Sequence, residues 1–476
     1  MLFAVVATAN AGGYRYGVSD QAFYIPVILR ALDPSAFPRD ATLIDAQGKL
    51  MLTDEVIAGI VRTTGLSLEH LFFAAYLLSL ALIWTAIVLI GNRLYQHRYA
   101  TLALGFLISL RHRIPRTSAN SFEPYFHPRM LAFGICLLAT AAVLRRRLWT
   151  AIVLVALAAL IHITTAIWFA LLLGVAILYL DKRLRWWLLP AAVVGTAAAV
   201  ALIAFGPLRA SLTRMDAIWL QAVASKDSLF ATDWPLWPWL LNLALVAVIL
   251  IIERARTSRG VATPESRALV WGTLALTAVF LLTLPLVAAR YALPVQLQIS
   301  RVFWPIDFVA ALFIVGELVD RNARRALVGL VAIGLIAIGR GTYILRFERI
   351  QRPLVAISLS DTPWEQAMAW IRTQPTSVHV LADPGHAWKY GTSVRVSGQR
   401  DVFLEDVKDA AIAIYSHDVA ARVVERSAAL GDFSILTTER ARALASEYHL
   451  DFLVTEATLP LPLAYSNRQF HIYRLS

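Results

Sequence analysis

Cysteine and charged residues are scarce in this chain. It has 476 residues, of which one is cysteine (Cys136) and 16% are charged. A single cysteine excludes an internal disulfide, and no Cys and His residues stand at the spacing of a zinc site. The chain also lacks a Gly-rich phosphate loop with its Lys, a dinucleotide-binding fingerprint and a nucleophile elbow, which argues against ATP-driven and hydrolytic chemistry.

Apolar residues are abundant and collect in blocks. Hydrophobic types make up 58% of the chain and the mean hydropathy is +0.62, whereas a soluble domain is only about half apolar. The pattern predicts a polytopic α-helical membrane protein of about eleven spans. A short or truncated first helix over residues 1–12 is followed by apolar blocks at 67–92, 99–110, 130–144, 148–161, 163–180, 186–206, 236–252, 268–289, 302–319 and 326–347.

The net charge of +12 is unevenly distributed among the loops. The loops 93–98, 145–147, 181–185, 253–267 and 320–325 hold 35 residues, with 15 Lys or Arg and 4 Asp or Glu. The loops 13–66, 111–129, 207–234 and 290–301 hold 113 residues, with 14 Lys or Arg and 10 Asp or Glu. Because short cytoplasmic loops collect positive charge, the first set is predicted to be cytoplasmic and the second periplasmic. This accounts for the basic balance without a nucleic-acid partner.

Residues 148–180 are almost continuously apolar and have basic residues at both ends. A single helix of that length would measure about 50 Å, which is too long for one crossing. Two basic ends on one side require an even number of crossings, so a hairpin is predicted to turn at residues 162–165. With that turn, the C-terminus emerges on the periplasmic side of a bacterial inner membrane.

From about residue 350 the charges return and the apolar runs shorten. We therefore divide the chain into a transmembrane domain, 1–349, which includes a long first periplasmic loop, 13–66, and a soluble periplasmic α/β domain, 350–476. In the second domain the patterns predict helices at 363–372, 415–428 and 437–448 and strands at 378–382, 451–455 and 469–474.

Asp20 is the first acidic residue of the loop 13–66 and follows the first span almost at once. A carboxylate at that place is a candidate general base for an incoming hydroxyl group. The alternative is structural, because Ser19 and Asp20 precede a helical run and both residue types are good helix caps.

Four arginines and two histidines lie in residues 111–129, on the side where arginine is disfavoured. Guanidinium groups bind phosphate in bidentate fashion, so this loop is a candidate site for a lipid phosphate. The alternative is snorkelling at the ends of membrane helices. The candidate substrate-binding residues of this loop are Arg111, Arg113, Glu123, His127 and Arg129.

Four further residues near predicted membrane ends are candidates of less specific character. His162 lies at the predicted hairpin tip, where a polar turn residue is the usual explanation. Arg301 and Arg340 face the outer side and are candidate phosphate ligands. Asp307 is an intramembrane acid that needs a partner, and Arg301 is sterically suited to be that partner.

Aromatic and charged residues elsewhere add two weaker signals. Trp234, Trp237 and Trp239 are typical of an interfacial belt, with sugar stacking as the alternative. In the soluble domain, Asp383-Pro384-Gly385 reads first as a turn, and Arg400 is a candidate substrate-binding residue.

Together these features resemble the GT-C superfamily of membrane glycosyltransferases, in a bacterial branch. The first-loop acid corresponds to Asp20. The segment 362–372, followed by Pro375 and the strand to Pro384, looks like the start of the family's C-terminal periplasmic domain, as does 397–400 followed by Lys408. The resemblance is architectural over the whole chain and specific in these two segments.

The resemblance implies transfer of a sugar from a polyprenyl-phosphate donor to a periplasmic acceptor, which is a glycan, a lipid or a protein. Many family members have two adjacent acids in the first loop, whereas this chain has Asp20-Gln21. A metal-independent inverting transfer is then the simpler mechanism, with Asp20 as base. No cofactor is firmly implied, and a divalent cation is compatible with the resemblance but not required by it.

Two other functions fit a polytopic protein of this kind. A transporter or flippase is one, although internal repeats and midplane charges typical of transporters are not found in the sequence. A non-catalytic membrane protein that binds glycan through its soluble domain is the other. The enzyme hypothesis requires Asp20 and several of Arg113, Arg129, Arg301 and Arg340 to line one outward-facing cavity.

Overall fold

Helices occupy most of the chain in the computed structural model, which describes residues 1–48, 52–205, 209–350 and 352–475. Some predicted segments extend beyond those ranges. Positions 49–51 of the loop 13–66, position 206 of the apolar block 186–206, positions 207 and 208 of the loop 207–234, and positions 351 and 476 of the domain 350–476 lie outside the described residues.

The chain divides into two compact units. One, which we call the membrane unit, consists of Met1–Tyr14, Ala74–Arg214 and Asp227–Leu354. The other, the sheet unit, consists of Arg15–Phe73, Met215–Lys226 and Val355–Ser476. The sheet unit therefore includes most of the predicted first loop in addition to the C-terminal segment. The boundary at 349/350 and the periplasmic placement stay predictions.

Every predicted apolar block corresponds to a helix. The helices are Leu2–Asn10, Leu68–Leu94, Arg98–Ser109, Pro128–Leu144, Leu148–Ile161, Ile163–Leu180, Arg185–Phe205, Leu236–Ser258, Pro264–Ala288, Phe303–Leu318 and Ala323–Tyr343. Within the described ranges, seven helices are long and apolar enough to cross a membrane. The predicted class, a polytopic membrane protein with a small C-terminal sheet domain, is confirmed; the number of eleven crossings stays a prediction.

The helix Arg185–Phe205 illustrates why this unit needs lipid around it. None of its residues from Arg185 to Leu202 is buried, and Trp186 and Trp187 are 82% and 75% exposed. An apolar surface of that size is rare on a soluble protein. A bilayer removes the cost of exposing it, because hydrocarbon replaces water around the side chains.

The break predicted between residues 148 and 180 falls at His162. The helix Leu148–Ile161 ends there in extended backbone, with φ −154° and ψ 95°, and Ile163–Leu180 begins directly afterwards. His162 Nδ1 accepts from the Thr165 backbone N–H at 3.3 Å and the Thr165 hydroxyl at 2.9 Å. His162 thus caps the second helix, which agrees with the prediction of a polar turn residue.

Close helix packing in the membrane unit depends on small residues. Gly272 is the clearest example, because a Cβ there would lie 2.4 Å from the carbonyl oxygen of Leu172. The helices Ile163–Leu180 and Pro264–Ala288 can approach at this point only because the side chain is absent. Thr263 and Ser266 form a capping box at the start of Pro264–Ala288 and fix where that helix begins.

Helices also dominate the sheet unit in number. They are Gln21–Leu32, Ala41–Gly48, Thr53–Thr64, Ala217–Ala222, Pro363–Arg372, His386–Lys389, Asp406–Ala413, His417–Leu430 and Thr438–Tyr448. Pro363–Arg372 has the predicted bounds because Thr362 caps Glu365 N–H and Pro363 occupies the first helical position. The predicted helices 415–428 and 437–448 are confirmed within two residues at each end.

Five strands form a mixed sheet in this unit. They are β1 (His379–Ala382), β2 (Asp401–Val402), β3 (Phe452–Thr455), β4 (Leu463–Ser466) and β5 (His471–Arg474), in the order β2-β1-β3-β5-β4. β1 is parallel to β2 and β3, and β5 is antiparallel to β3 and β4. The predicted strands 378–382, 451–455 and 469–474 correspond to β1, β3 and β5, whereas β2 and β4 were not predicted.

Helices cover both faces of the sheet. On one face, Trp364, Met368 and Ile371 of Pro363–Arg372 pack in a buried cluster with Val380 of β1 and Val454 of β3. On the other face, alternate residues of the same strands pack with the helix Thr438–Tyr448. This alternation is the period of two expected for strands that are buried on both sides.

Candidate functional site

The arginine-rich loop 111–129 is a folded structure in the membrane unit. Arg113–Ile114 and Ala119–Asn120 pair as a short antiparallel hairpin. Arg116 and Ser118 adopt positive φ angles of 54° and 51°, which lets the chain reverse between the strands. The loop therefore holds its polar side chains in defined positions.

Two of the arginine side chains in this loop approach the carboxylate of Glu123. Its side chain is 3% exposed and accepts a hydrogen bond from Arg129 Nη2 at 2.8 Å. Arg111 Nη2 lies 3.6 Å from the other carboxylate oxygen, and Asn120 Nδ2 donates to both oxygens at 3.2 Å. Two guanidinium groups thus face one carboxylate, which leaves an excess of positive charge.

Arg129 is the most deeply buried of these arginines, with a side chain 2% exposed. It lies in the first turn of Pro128–Leu144, where His127 Nδ1 caps the helix by accepting its backbone N–H at 3.0 Å. Its guanidinium lies 5.5 Å from the ring centre of Trp304. The carboxylate and the aromatic ring offset the cost of burying this charge.

Arg129→Met is expected to lower the free energy of unfolding by about 3 kcal/mol, because it leaves Glu123 buried without its main counter-charge. Thermal unfolding of the full chain in detergent measures this. In the double variant Glu123→Gln/Arg129→Met the buried charge is gone, so part of the lost stability should return. The exposed Arg183→Met serves as the control, and equal melting temperatures for the single and double variants would contradict the pairing.

His127 and His162 lie next to each other, with ring centres 6.2 Å apart. Each caps the helix that follows it, which explains why a histidine stands at each of these helix starts. His162, which was predicted to lie at the hairpin tip, is therefore next to the arginine-rich loop.

Arg340 connects the loop to the first and last helices of the membrane unit. It donates to Asn10 Oδ1 at 3.0 Å and to the carbonyl oxygen of Arg111 at 2.9 Å. Its guanidinium therefore fixes the backbone at the start of the loop. Arg301 lies in the same unit, in the short helix Ile299–Val302, three residues before Trp304.

Asp307 pairs with His112, whose Nε2 lies 3.1 Å from both carboxylate oxygens. Spacing along the helix predicts Arg301 as the partner of Asp307. In the structure Asp307 instead contacts His112 of the loop 111–129. The hydrogen bond that the Asp307 carboxylate accepts from the imidazole raises the pKa of His112.

Arg113 is the most accessible arginine of the loop, with a side chain 66% exposed. Its Nη2 lies 4.0 Å from Asp227, whose other carboxylate oxygen contacts Arg116. Arg111 is 34% exposed. These two side chains keep more contact with solvent than Arg129, which is buried. Their role in ligand binding stays a prediction.

Asp20 belongs to the sheet unit. Its backbone stands at the N-cap position of Gln21–Leu32, but its side chain makes no capping hydrogen bond. The carboxylate is 30% exposed, and its Oδ1 lies 2.9 Å from Lys408 Nζ. The cap alternative therefore does not account for this side chain. The prediction that Asp20 lines one cavity with the arginines stays a prediction.

Arg400 also lies in the sheet unit and binds backbone groups. It donates to the carbonyl oxygens of Arg372 at 2.6 Å and of Gln374 at 3.1 Å. These carbonyls lie at and just after the C-terminal end of the helix Pro363–Arg372, where backbone acceptors lack helical partners. The guanidinium thus holds the end of that helix, and its role in substrate binding stays a prediction.

A buried ion cluster in the sheet unit was not predicted. Arg395 Nε lies 2.7 Å from Asp40, and its Nη1 lies 2.6 Å from Asp409 and 3.6 Å from Glu405. All four side chains are at most 2% exposed, and Arg422 also contacts Asp40. Burial alone would raise the pKa of Asp40, but Arg395 and then Arg422 outweigh it and hold that pKa well below its ordinary value.

The model of the EpsG family matches the chain over residues 56–344. This is more than half of the sequence. The chain belongs to the EpsG family. The match indicates a multi-pass membrane protein of a family that resembles polysaccharide polymerases, and hence a function in glycosyl transfer or polymerisation.

The EpsG match covers only part of the candidate residues. It includes the loop 111–129, His162, Arg301 and Arg340, and it excludes Asp20 and Arg400. No curated protein matches the chain. The coarse prediction of a membrane protein that acts on glycans is confirmed, while the donor, the acceptor and the base stay predictions.

Proposed function

We propose that this EpsG-family chain is a glycosyltransferase of the bacterial inner membrane. It moves a sugar from a polyprenyl-phosphate donor to an acceptor on the periplasmic side. The observation that supports this best is that the family match spans a folded loop with an excess of buried and accessible arginines. Guanidinium groups bind phosphate in bidentate fashion, so such a cluster at a helix end suits a membrane enzyme that uses a lipid phosphate.

The arginines of the loop have separate roles in this proposal. Arg111 and Arg113 contact the donor phosphate, because their guanidinium groups are the accessible ones. Glu123, Arg129 and Arg340 hold the loop in the conformation that presents them. His127, His162 and Arg301 complete the polar surface around the leaving group.

The chemistry is a displacement at the anomeric carbon. The acceptor hydroxyl oxygen forms a bond to that carbon while the bond from the carbon to the phosphate oxygen breaks. Polyprenyl phosphate leaves with the electron pair, and the developing negative charge is stabilised by arginine. The hydroxyl proton passes to the Asp20 carboxylate, which acts as general base.

The orientation follows from the charges of the loops. The basic loops, such as 145–147 and 253–267, lie in the cytoplasm, and the loop 111–129 lies on the periplasmic face. The segment 350–476 is then a periplasmic domain. In this proposal the reaction takes place on the side where polyprenyl-phosphate sugars serve as donors in the enzymes that the sequence resembles.

Arg113→Ala is expected to raise the KM for the donor about tenfold, which corresponds to the loss of one charged hydrogen bond to phosphate. The turnover number should fall as well, since the same guanidinium stabilises the negative charge that develops on the leaving phosphate. Initial rates at varied donor concentration measure both constants. Arg183→Ala, on the opposite set of loops, should leave both unchanged, and an unchanged KM in Arg113→Ala would remove this residue from the donor site.

The direct test of the proposal is a transfer assay with a panel of polyprenyl-phosphate sugars. The full chain, purified in detergent or lipid, is incubated with each donor and with oligosaccharide, lipid and peptide acceptors. Formation of a glycosylated product with at least one donor is expected. The absence of product with every donor and acceptor, from folded protein, would overturn the proposal.

A further inference from the structure

The parallel neighbours β1 and β2 lead into connections that cover opposite faces of the sheet. After β1 the chain packs Tyr390 and Val394 against the face that also holds the helix Pro363–Arg372. After β2 it packs Leu430 and Leu444 against the other face. Where neighbouring parallel strands continue on opposite faces, a crevice forms at their carboxyl ends, and α/β proteins bind ligands there. The topology therefore indicates this edge of the sheet unit as a place for a ligand.

Trp388 lies at this edge, in the short helix His386–Lys389 that follows β1, and is 63% exposed. Lys408, which is 4% exposed and comes from the connection after β2, places its Nζ 5.8 Å from the centre of the tryptophan ring. The two connections also meet through the backbone, since Asp406 N–H donates to the Pro384 carbonyl oxygen at 3.2 Å. The cation–π contact thus supports the ring where the two connections diverge, while most of the residue stays open to solvent.

The same edge of the sheet carries exposed polar side chains. Lys389, next to Trp388 in the chain, is 56% exposed and pairs with Asp383, which follows β1. Glu456, which follows β3, accepts a hydrogen bond from the Tyr390 hydroxyl at 3.2 Å. A sugar presents hydroxyl groups around an apolar C–H face, so it requires an aromatic surface with donors and acceptors at its border. This edge of the sheet supplies both.

A lipid interface is the other common environment of an exposed tryptophan. Trp186 and Trp187 fit that case, because the helix that carries them continues with exposed apolar residues such as Leu189 and Val193. Trp388 instead belongs to a four-residue helix and has an exposed lysine beside it. Its environment therefore favours a saccharide over a bilayer.

We propose that Trp388 is the stacking surface of a saccharide-binding site in the sheet unit, and that the acceptor of glycosyl transfer is a glycan chain held there. The assignment of the acceptor rests on the proposed function, whereas the binding of saccharide does not. The tryptophan ring covers the C–H face of one sugar ring. Lys389, Asp383 and Glu456 lie at the same edge to meet sugar hydroxyl groups.

Trp388→Ala in the full chain tests this inference by binding. Hexose and N-acetylhexosamine oligosaccharides are titrated calorimetrically into the detergent-solubilised protein. The wild type is expected to bind at least one of them, and Trp388→Ala should raise the Kd about tenfold through the loss of one stacked aromatic contact. Trp388→Phe keeps an aromatic ring and should recover most of the affinity. Because Trp388 is exposed, its substitution should leave the melting temperature near that of the wild type.

Trp186→Ala is the matched control, since that tryptophan is 82% exposed on an apolar helix of the membrane unit. It should leave the Kd for saccharide unchanged. A wild type that binds none of the oligosaccharides would overturn the inference. A wild-type Kd in Trp388→Ala would also overturn it and would assign Trp388 to the lipid interface instead.

Transfer kinetics separate this inference from the proposed function. Trp388→Ala should raise the KM for an oligosaccharide acceptor about tenfold and leave the KM for the donor unchanged. Saccharide binding by a chain that transfers no sugar would overturn the proposed function alone. Transfer to lipid or peptide acceptors only, by a chain that binds no oligosaccharide, would overturn the inference alone.

Discussion

Asp20→Asn is expected to lower the turnover number for glycosyl transfer about 10²- to 10⁴-fold, the range that a general base supplies. The amide keeps the shape of the side chain but does not accept the acceptor's proton. In the structure the Asp20 side chain makes no capping hydrogen bond and pairs with Lys408. Single-turnover transfer rates with the preferred donor measure the effect.

The control for Asp20→Asn is Asp33→Asn. Asp33 is exposed, lies in the same predicted loop, and makes local hydrogen bonds to Ser35. It should retain wild-type turnover. Equal turnover by wild type and Asp20→Asn would remove Asp20 from the mechanism, and the arginine-rich loop would then remain as the only proposed part of the site.

Arg395→Met is expected to destabilise the sheet unit by about 3–5 kcal/mol, because it leaves buried carboxylates without their shared counter-charge. Asp40, Glu405 and Asp409 are each at most 1% exposed and all contact this guanidinium. For a unit of this size the change corresponds to a fall in melting temperature on the order of 10 °C.

The control for Arg395→Met is Arg468→Met, a change to an exposed arginine in the same unit. The melting temperature of each full-length variant is measured in the same detergent. If Arg395→Met had the same melting temperature as the wild type, the ion cluster would not stabilise the unit. The burial of three acidic side chains around Arg395 would then require a different explanation.

Local patterns predicted the elements of this fold well. The apolar blocks became helices because a run of apolar residues between basic loops has few other structures available in a bilayer. Pro363–Arg372 was predicted with its bounds because its cap, proline and amphipathic period agree. The strand β4 was missed since Leu463 is 56% exposed and two prolines stand beside it. The strand β2 is only two residues long.

The sequence did not predict the contacts between residues that are far apart along the chain. Arg395 and Asp40 are 355 positions apart, and Lys408 and Asp20 are 388 apart. Spacing along a helix suggested Arg301 for Asp307, whereas the loop supplies His112. No period or motif encodes such pairs, because they depend on how separate elements pack.

The arginine-rich loop shows what composition can and cannot predict. Four arginines in a loop that is predicted to lie on the outer side suggested a phosphate site. The difference between them required coordinates, because the sequence does not show that the Arg129 side chain is buried against Glu123 while the Arg113 side chain is exposed. The assignment of Arg113 to ligand binding stays a proposal.

The most direct test of the central claim is a vesicle experiment that separates transfer from transport. The full chain is reconstituted in vesicles with a polyprenyl-phosphate sugar and an acceptor, and three quantities are followed: glycosylated acceptor, free polyprenyl phosphate, and intact donor in each leaflet. We predict that glycosylated acceptor and free polyprenyl phosphate appear in equal amounts. Intact donor that changes leaflet without release of polyprenyl phosphate would contradict the account and identify a flippase instead.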